Sequence, residues 1–180
     1  MKDKIYKRAV AFMCVMIVVA SVLGGVRSLS VKRKSVEREY YEKGAESASF
    51  AVEKIAINAQ NLKSVAKRYI ENDKAYKELL KNAEDFENAD GINGQGESIY
   101  DLIDSAKAVY DRLGECELTA EDKAYRTELY YNIKSYYSVL AHNEYNESAE
   151  RFNRIIKTVP ASAFAALSGM DELPVFEVEE

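Results

Sequence analysis

Cysteine and proline are scarce in this chain, and each shortage excludes something. The 180 residues include two cysteines, Cys14 in an apolar run and Cys116 in a distant polar stretch. Two cysteines so placed form no disulfide framework, and they carry no information on the redox compartment. Both prolines lie after residue 159, so no proline interrupts a helix over most of the chain. The composition therefore permits long, uninterrupted helices.

Side chains suited to catalysis or metal binding are also few. His142 is the only histidine, so no second histidine stands at the spacing of a helical zinc site. Cys116 lacks a neighbouring catalytic signature. The glycine-rich stretch 88–98 is not followed by Gly-Lys-Ser/Thr, which excludes a P-loop, and Ile92 stands where a calcium loop needs a ligand. We therefore expect no catalytic residue, no cofactor and no metal ion, and we interpret 88–98 as a plain connector.

Charge is divided unevenly along the chain. Residues 1–38 hold nine Lys or Arg and two Asp or Glu, whereas the remaining residues hold 16 and 28. The acidic part is a poor nucleic-acid ligand, because neutralising phosphates requires clustered Lys and Arg. The basic stretch 27–38 is typical of a topology and anchoring signal, with contact to anionic lipid as the alternative. We expect no nucleic-acid partner.

One long apolar run, residues 9–26, lies between two clusters of basic residues. Eighteen helical residues span about 27 Å, close to the roughly 30 Å hydrocarbon core of a bilayer. The run predicts a single-pass transmembrane helix over 9–27, after a short basic N-terminus (1–8) and before a basic juxtamembrane segment (28–40). The lipid bilayer is then the expected partner, and the cell membrane is the expected location.

A cleaved signal peptide is the alternative to an anchor. Val18-Val19-Ala20 is a weak cleavage site, but cutting there leaves an apolar core of about ten residues, and the apolar character continues to Val26. An uncleaved anchor is therefore favoured. Four basic residues precede the run and five follow it within a short distance, which does not decide the side of the membrane that holds the rest of the chain.

The remaining residues, 41–180, have the periodicity of helices. From residue 41 to residue 83 apolar residues recur at alternating steps of four and three, which predicts one long helix with a narrow, alanine-rich seam. Asn72 and Asp73 interrupt it as a kink or a cap. We expect this helix to continue directly from the anchor. The seam comprises residues 41, 45, 48, 52, 55, 59, 62, 66, 69, 76, 80 and 83.

Two capping patterns divide the rest of the chain. Ser98 with Asp101 predicts the start of a second helix that ends at Gly114, and Thr119 with Asp122 predicts the start of a third that reaches residue 157. A short helix follows over 160–167, with proline in its first turn and glycine after its end. The apolar tail 173–176 is expected to dock on these helices. The predicted fold is all-α: a transmembrane helix, then an antiparallel bundle of three long helices and one short C-terminal helix.

The third predicted helix contains aromatic–Asn pairs, of which Tyr145-Asn146 and Phe152-Asn153 are seven residues apart and share a face. Such an amide either fixes the register between helices or is simply tolerated half-exposed, and periodicity does not choose. Residues 144–177 resemble the LemA family, and residues 61–89 resemble its first helix more weakly. The resemblance rests on Tyr145, Asn146, Phe152, Asn153, Pro160, Ala165, Gly169, Pro174 and Phe176.

That resemblance implies a single-pass membrane protein with a long helical bundle, and it implies no enzymatic activity or catalytic residues. We therefore expect a non-catalytic interaction or scaffold module of the bacterial cell envelope, with unspecified protein partners at the membrane and an unspecified oligomeric state. The alternative is a membrane-tethered bundle that senses or binds a ligand, suggested by the 13 tyrosines. A third hypothesis is a membrane-surface binder that uses residues 27–38.

Overall fold

A computed structural model describes residues 2–42, 44 and 47–177 of the chain. These residues form seven helices and no strand, so the all-α prediction is confirmed for them. Ala45 of the predicted seam and the last three residues, 178–180, lie outside the described residues. The helices are α1 Lys2–Glu42, α2 Ala48–Ile70, α3 Lys74–Glu87, α4 Gly91–Leu113, α5 Ala120–Ala141, α6 Glu144–Lys157 and α7 Ala161–Ser168.

Helix α1 is 41 residues long and changes character along its length. It is long and apolar enough to cross a membrane, and none of its most apolar 18-residue window is buried. A signal sequence near an N-terminus can also be long and apolar enough for this. Its C-terminal part belongs to the core, since Leu29 is 4% exposed and Tyr40 is fully buried. The helix ends at Glu42 instead of continuing into α2 as we expected.

The three predicted long helices are instead five, because asparagine and aspartate caps interrupt the apolar seams. Asp73 accepts a hydrogen bond from the backbone N–H of Ala75 at 2.9 Å and begins α3, so the cap predicted there is confirmed. Asn143 accepts from the N–H of Tyr145 at 3.0 Å and begins α6, which divides the predicted third helix. Each cap satisfies an N–H at a helix start, where no intrahelical acceptor exists.

The predicted loop 88–98 is wrong over most of its length. Helix α4 already begins at Gly91, and the side chain of Ser98 lies within it, donating to the carbonyl of Gly94 at 2.8 Å. Ser98 is therefore not the cap that opens the helix. Gly94 and Gly96 are retained in helical backbone because this segment is packed: Ile92 is 6% exposed, and Gly96 touches Pro174. Tertiary packing outweighs a helix-propensity cost of about 1 kcal/mol per glycine.

Other predicted helix ends are confirmed. Thr119 accepts from the backbone N–H of Asp122 at 3.1 Å and begins α5. Helix α4 ends at Gly114. Pro160 directly precedes α7, and Gly169 ends it in the left-handed conformation, with φ of 61°. Only glycine adopts that conformation without a steric cost.

Helices α2, α3, α4 and α5 pack together into a group that we call the bundle. Helices α2 and α5 are joined at one end by Tyr69 and Asp122, whose oxygens are 2.5 Å apart, and near the other by an edge-on contact of Phe50 with Tyr136. Helices α3 and α4 are joined where Asp73 forms an ion pair with Arg112 at 2.8 Å.

A second group, which we call the stalk, comprises residues 25–42 of α1 with helices α6 and α7. Tyr40 of α1 meets Tyr145 at the start of α6, with ring centroids 5.2 Å apart. Val36 and Phe152, both buried, line the contact nearer the apolar end of α1. The stalk therefore connects the bundle to the exposed apolar run.

Candidate functional site

The C-terminal segment, residues 171–177, lies where the stalk meets the bundle. Leu173 is 2% exposed and Phe176 is 1% exposed, so the predicted docking of the tail is confirmed. Tyr100 of α4 contacts the segment through the carbonyl of Val175 at 3.4 Å, and Tyr137 of α5 donates to the carbonyl of Glu177 at 2.5 Å. The tail thus touches both groups of helices.

Two asparagine side chains hold this tail by its backbone. Asn153 donates to the carbonyl of Leu173 at 2.7 Å and accepts from the N–H of the same residue at 2.8 Å. Asn146 accepts from the N–H of Phe176 at 2.9 Å. Both asparagines are 8% exposed, so neither is a half-exposed, tolerated amide. An amide side chain carries both a donor and an acceptor, so the one side chain of Asn153 pairs with both backbone groups of Leu173.

Asn146 has a second role at the end of α5. Its amide nitrogen donates to the carbonyls of Leu140 at 2.9 Å and Ala141 at 3.0 Å, which are among the last carbonyls of that helix. These carbonyls have no partner within a helix that stops at residue 141. One buried side chain therefore closes α5 and anchors the tail.

An aromatic cluster surrounds these amides. The rings of Tyr40, Tyr145 and Phe176 are mutually in contact, with centroid separations of 5.2 to 6.5 Å. The hydroxyl of Tyr145 donates to the carbonyl of Pro174 at 3.0 Å, and that of Tyr40 donates to Gln95 at 3.2 Å. Burial raises the pKa of both tyrosines, so both stay protonated donors at neutral pH.

The remaining motif residues position α7 and the tail. Pro160 and Gly169 bound α7, and Ala165 is its buried residue, 5% exposed. Phe164 of α7 lies directly on Gly25 of α1, where a Cβ atom would come within 2.4 Å of its ring. The motif residues of 144–177 thus meet in one structural assembly, which clamps the C-terminus and α7 against α1.

A groove of about 580 Å³ opens on the bundle beside this assembly, between α2 and the α3–α4 pair. Its wall is mostly apolar and includes two exposed large side chains, Tyr41 (53% exposed) and the aliphatic Ile57 on α2 (41% exposed). Gln95 and Glu53 supply polar groups at its edges. Other lining residues are Val52, Ala56, Gln60, Ala83, Phe86 and Leu102.

The reactive side chains do not converge. His142 follows the last residue of α5, with Nδ1 at 2.8 Å from the carbonyl of Ser138, whereas Cys116 precedes the first turn of that helix. A helix of 22 residues separates them by about 33 Å. No group of three or more His, Cys, Asp or Glu side chains that could hold a metal ion occurs within the described part of the chain.

Charged groups lie instead at helix ends. Asp122, whose side chain is 14% exposed, is contacted by Tyr69 and Arg68 at the junction of α2 and α5. The hydrogen bond from the Tyr69 hydroxyl lowers the pKa of this carboxyl below its ordinary value, as do the Thr119 cap and the charge of Arg68. This carboxylate therefore holds the ends of α2 and α5 together.

Comparisons of the chain with protein-family models, with curated proteins and with solved structures find no match. The function proposed below therefore rests on the fold and on the geometry of the chain's own residues.

Several of these contacts were missed from the sequence. The groove was missed because Gln95 was placed in a loop, and the contact of Phe164 with Gly25 joins residues far apart in sequence. The adjacent glycines 24 and 25 were a usable signal, since a small residue on an apolar helix permits close approach of a neighbouring helix. Nothing in the periodicity indicated that Asn146 and Asn153 bind the tail.

Proposed function

We propose that this chain is a non-catalytic, single-pass membrane protein whose antiparallel helical bundle serves as an interaction or scaffold module of a bacterial cell envelope. The observation that carries the proposal is the single helix α1, which is exposed and apolar at one end and built into the core at the other. A bundle attached in this way follows its anchor as one body.

The exposed apolar run supports a membrane anchor. Phe12, Met13 and Ile17 are each more than 60% exposed, although all three are large apolar side chains. In water, the run 9–26 would form a contiguous apolar surface that soluble monomers rarely carry. A bilayer would cover this surface, and the thickness of its hydrocarbon core matches the length of the apolar run.

The resemblance of residues 144–177 to the LemA family supports the same proposal. Its two aromatic–Asn pairs have one shared role here, since Asn146 and Asn153 both bind backbone groups of the tail. A motif that holds the chain's own C-terminus has a structural role. We therefore expect a binding function on the exposed surfaces of the chain. The groove beside α2 is one such surface.

Photo-crosslinking from the groove tests the interaction role. Benzoylphenylalanine is placed at Ile57 in the full chain in its native membrane, with Val139 as a matched control, since these aliphatic residues are 41% and 45% exposed. We expect a discrete adduct from the Ile57 site that is absent from the Val139 site. Filling the groove by Ala56→Arg should abolish it. Identical adducts from both sites, or none, would contradict the proposal, as would turnover by the purified chain.

A ligand-binding bundle is the second candidate, and the dimensions of the groove favour it. A volume of about 580 Å³ lies within the range of about 300–1,000 Å³ for small-molecule sites, and the wall combines apolar residues with a few polar groups. A ligand of the groove should raise the Tm of the full chain by mass action and lose this effect in Ala56→Arg. A Tm shift that Ala56→Arg leaves intact would assign the ligand to another site.

A further inference from the structure

Helix α7 presents an apolar face that no part of the described chain covers. Residues 158–170 carry no charge, in a chain of which 31% of the residues are charged. Val159, just before α7, is 89% exposed and Leu167 within it is 70% exposed, and Ala163 and Ala166 are exposed as well. The opposite side, with Phe164 and Ala165, packs on α1. Exposed apolar surface of this kind marks contact with a partner or a membrane.

The position of α7 along α1 indicates what covers it. Phe164 rests on Gly25, within the apolar run 9–26 and before its end at Val26. Val22 and Val26, on the same side of α1, are half-buried, whereas Leu23 and Gly24 are exposed. Helix α7 therefore overlaps the last turn of the apolar run by about four residues, which is about 6 Å of helix.

The charges on either side agree with this depth. Arg27 follows the run on α1, and Lys157 and Asp171 bound the uncharged stretch that contains α7. Lys157 forms an ion pair with Glu172 at 2.7 Å. The charged groups thus begin where the apolar run ends, which is the arrangement of side chains at a headgroup layer. Amphipathic helices that lie in the interface are buried by about 5–10 Å.

We propose that α7 is an interfacial helix that lies in the membrane surface beside α1, with Val159 and Leu167 inserted among the lipid acyl chains. This inference rests on the proposed membrane anchor. Asn146 and Asn153 fix the tail that follows α7 to the helices. The position of α7 in the membrane surface therefore also affects the bundle. The bundle is then attached to the bilayer at two places, α1 and α7, and its orientation to the membrane surface is restricted.

A depth measurement with lipid-borne quenchers tests this inference. Single cysteines replace Leu167, Phe12 or Tyr131 in the full chain, in a Cys14→Ala/Cys116→Ser background, and each is labelled with an environment-sensitive fluorophore. The three sites are 70%, 65% and 73% exposed, so exposure itself does not separate them. The protein is reconstituted into phosphatidylcholine–phosphatidylglycerol vesicles with and without doxyl-labelled acyl chains. Phe12 reports on the anchor, and Tyr131 on the bundle.

We expect quenching at Leu167 and at Phe12 to exceed that at Tyr131 by at least about twofold, because only the first two sites lie among acyl chains. Quenching at Phe12 with Leu167 equal to Tyr131 would overturn the interfacial helix and leave the anchor intact. Absence of quenching at Phe12 would overturn the anchor and, with it, this inference. No other protein is present in the vesicles, so a protein partner on α7 cannot produce the expected result.

Discussion

The hydrogen bonds from Asn146 and Asn153 to the C-terminal tail, which we call the clamp, yield a quantitative prediction. Asn153→Ala removes both hydrogen bonds to Leu173, which are 2.7 and 2.8 Å long and buried. A buried backbone group without its partner costs about 1–3 kcal/mol, so two such groups cost about 2–6 kcal/mol if the tail stays in place. Release of the tail to water lowers this cost, but it exposes Leu173 and Phe176, at about 1.5–3 kcal/mol each.

Release also returns conformational entropy to the freed residues, which lowers the net cost further. We therefore expect Asn153→Ala to lower the free energy of unfolding by about 2–4 kcal/mol. For a chain of this size the Tm falls by roughly 4–16 °C. The assay is thermal and urea unfolding of the full chain in a mild detergent, followed by circular dichroism, with hydrogen exchange at the N–H of Leu173.

Two further variants separate the hydrogen bonds from mere loss of an asparagine. Asn72→Ala makes the same chemical change at an exposed turn position and should alter stability by less than about 0.5 kcal/mol.

Asn153→Asp keeps the acceptor but places a carboxylate against the carbonyl of Leu173, which raises the pKa of the introduced carboxyl. Its deficit relative to the wild type should therefore be smaller at low pH, where that carboxyl is protonated and donates, and grow as pH rises through the raised pKa. Equal stability of Asn153→Ala and Asn72→Ala would refute this account of the clamp.

Three other perturbations have expected outcomes. Tyr145→Phe removes only the hydroxyl that donates to the tail and should cost about 0.5–1.5 kcal/mol in the same unfolding assay; no loss would mean that this bond is not formed. Gly25→Ala brings a Cβ atom to 2.4 Å from the ring of Phe164 and should speed proteolysis within α7, whereas Gly24→Ala meets no atom within 4 Å and should not; equal rates would contradict the packing. Asp122→Asn should lower the Tm at pH 7, with the difference from the wild type closing as pH falls below about 4, because the pKa of this carboxyl is lowered in the folded state; a pH-independent difference would contradict the assignment.

Long, strongly periodic features were the predictable part of this fold. The apolar run lies in one helix, as predicted from its eighteen consecutive uncharged residues without a proline. Thr119 and Gly169 mark helix ends through local side-chain and backbone geometry, which a short stretch of sequence contains. These elements depend on neighbouring residues alone.

Features set by distant packing were less predictable. Gly94 and Gly96 have low helix propensity, and the packing of this segment against Ala89 and the tail favours the helix there. Asn143 interrupts a seam that continues apolar on both sides, so periodicity predicted one helix where the cap makes two. The partners of Asn153 are 20 residues away in an extended segment, and no periodic pattern identifies them.

The central claim is that α1 anchors an uncleaved chain in a membrane, and one fractionation experiment tests it most directly. Membranes from cells that make the full chain are washed with alkaline carbonate, and the mass of the retained protein is measured. The account predicts an intact chain of 20.3 kDa in the membrane pellet. A chain shortened by cleavage near Ala20, or released into the wash, would contradict it.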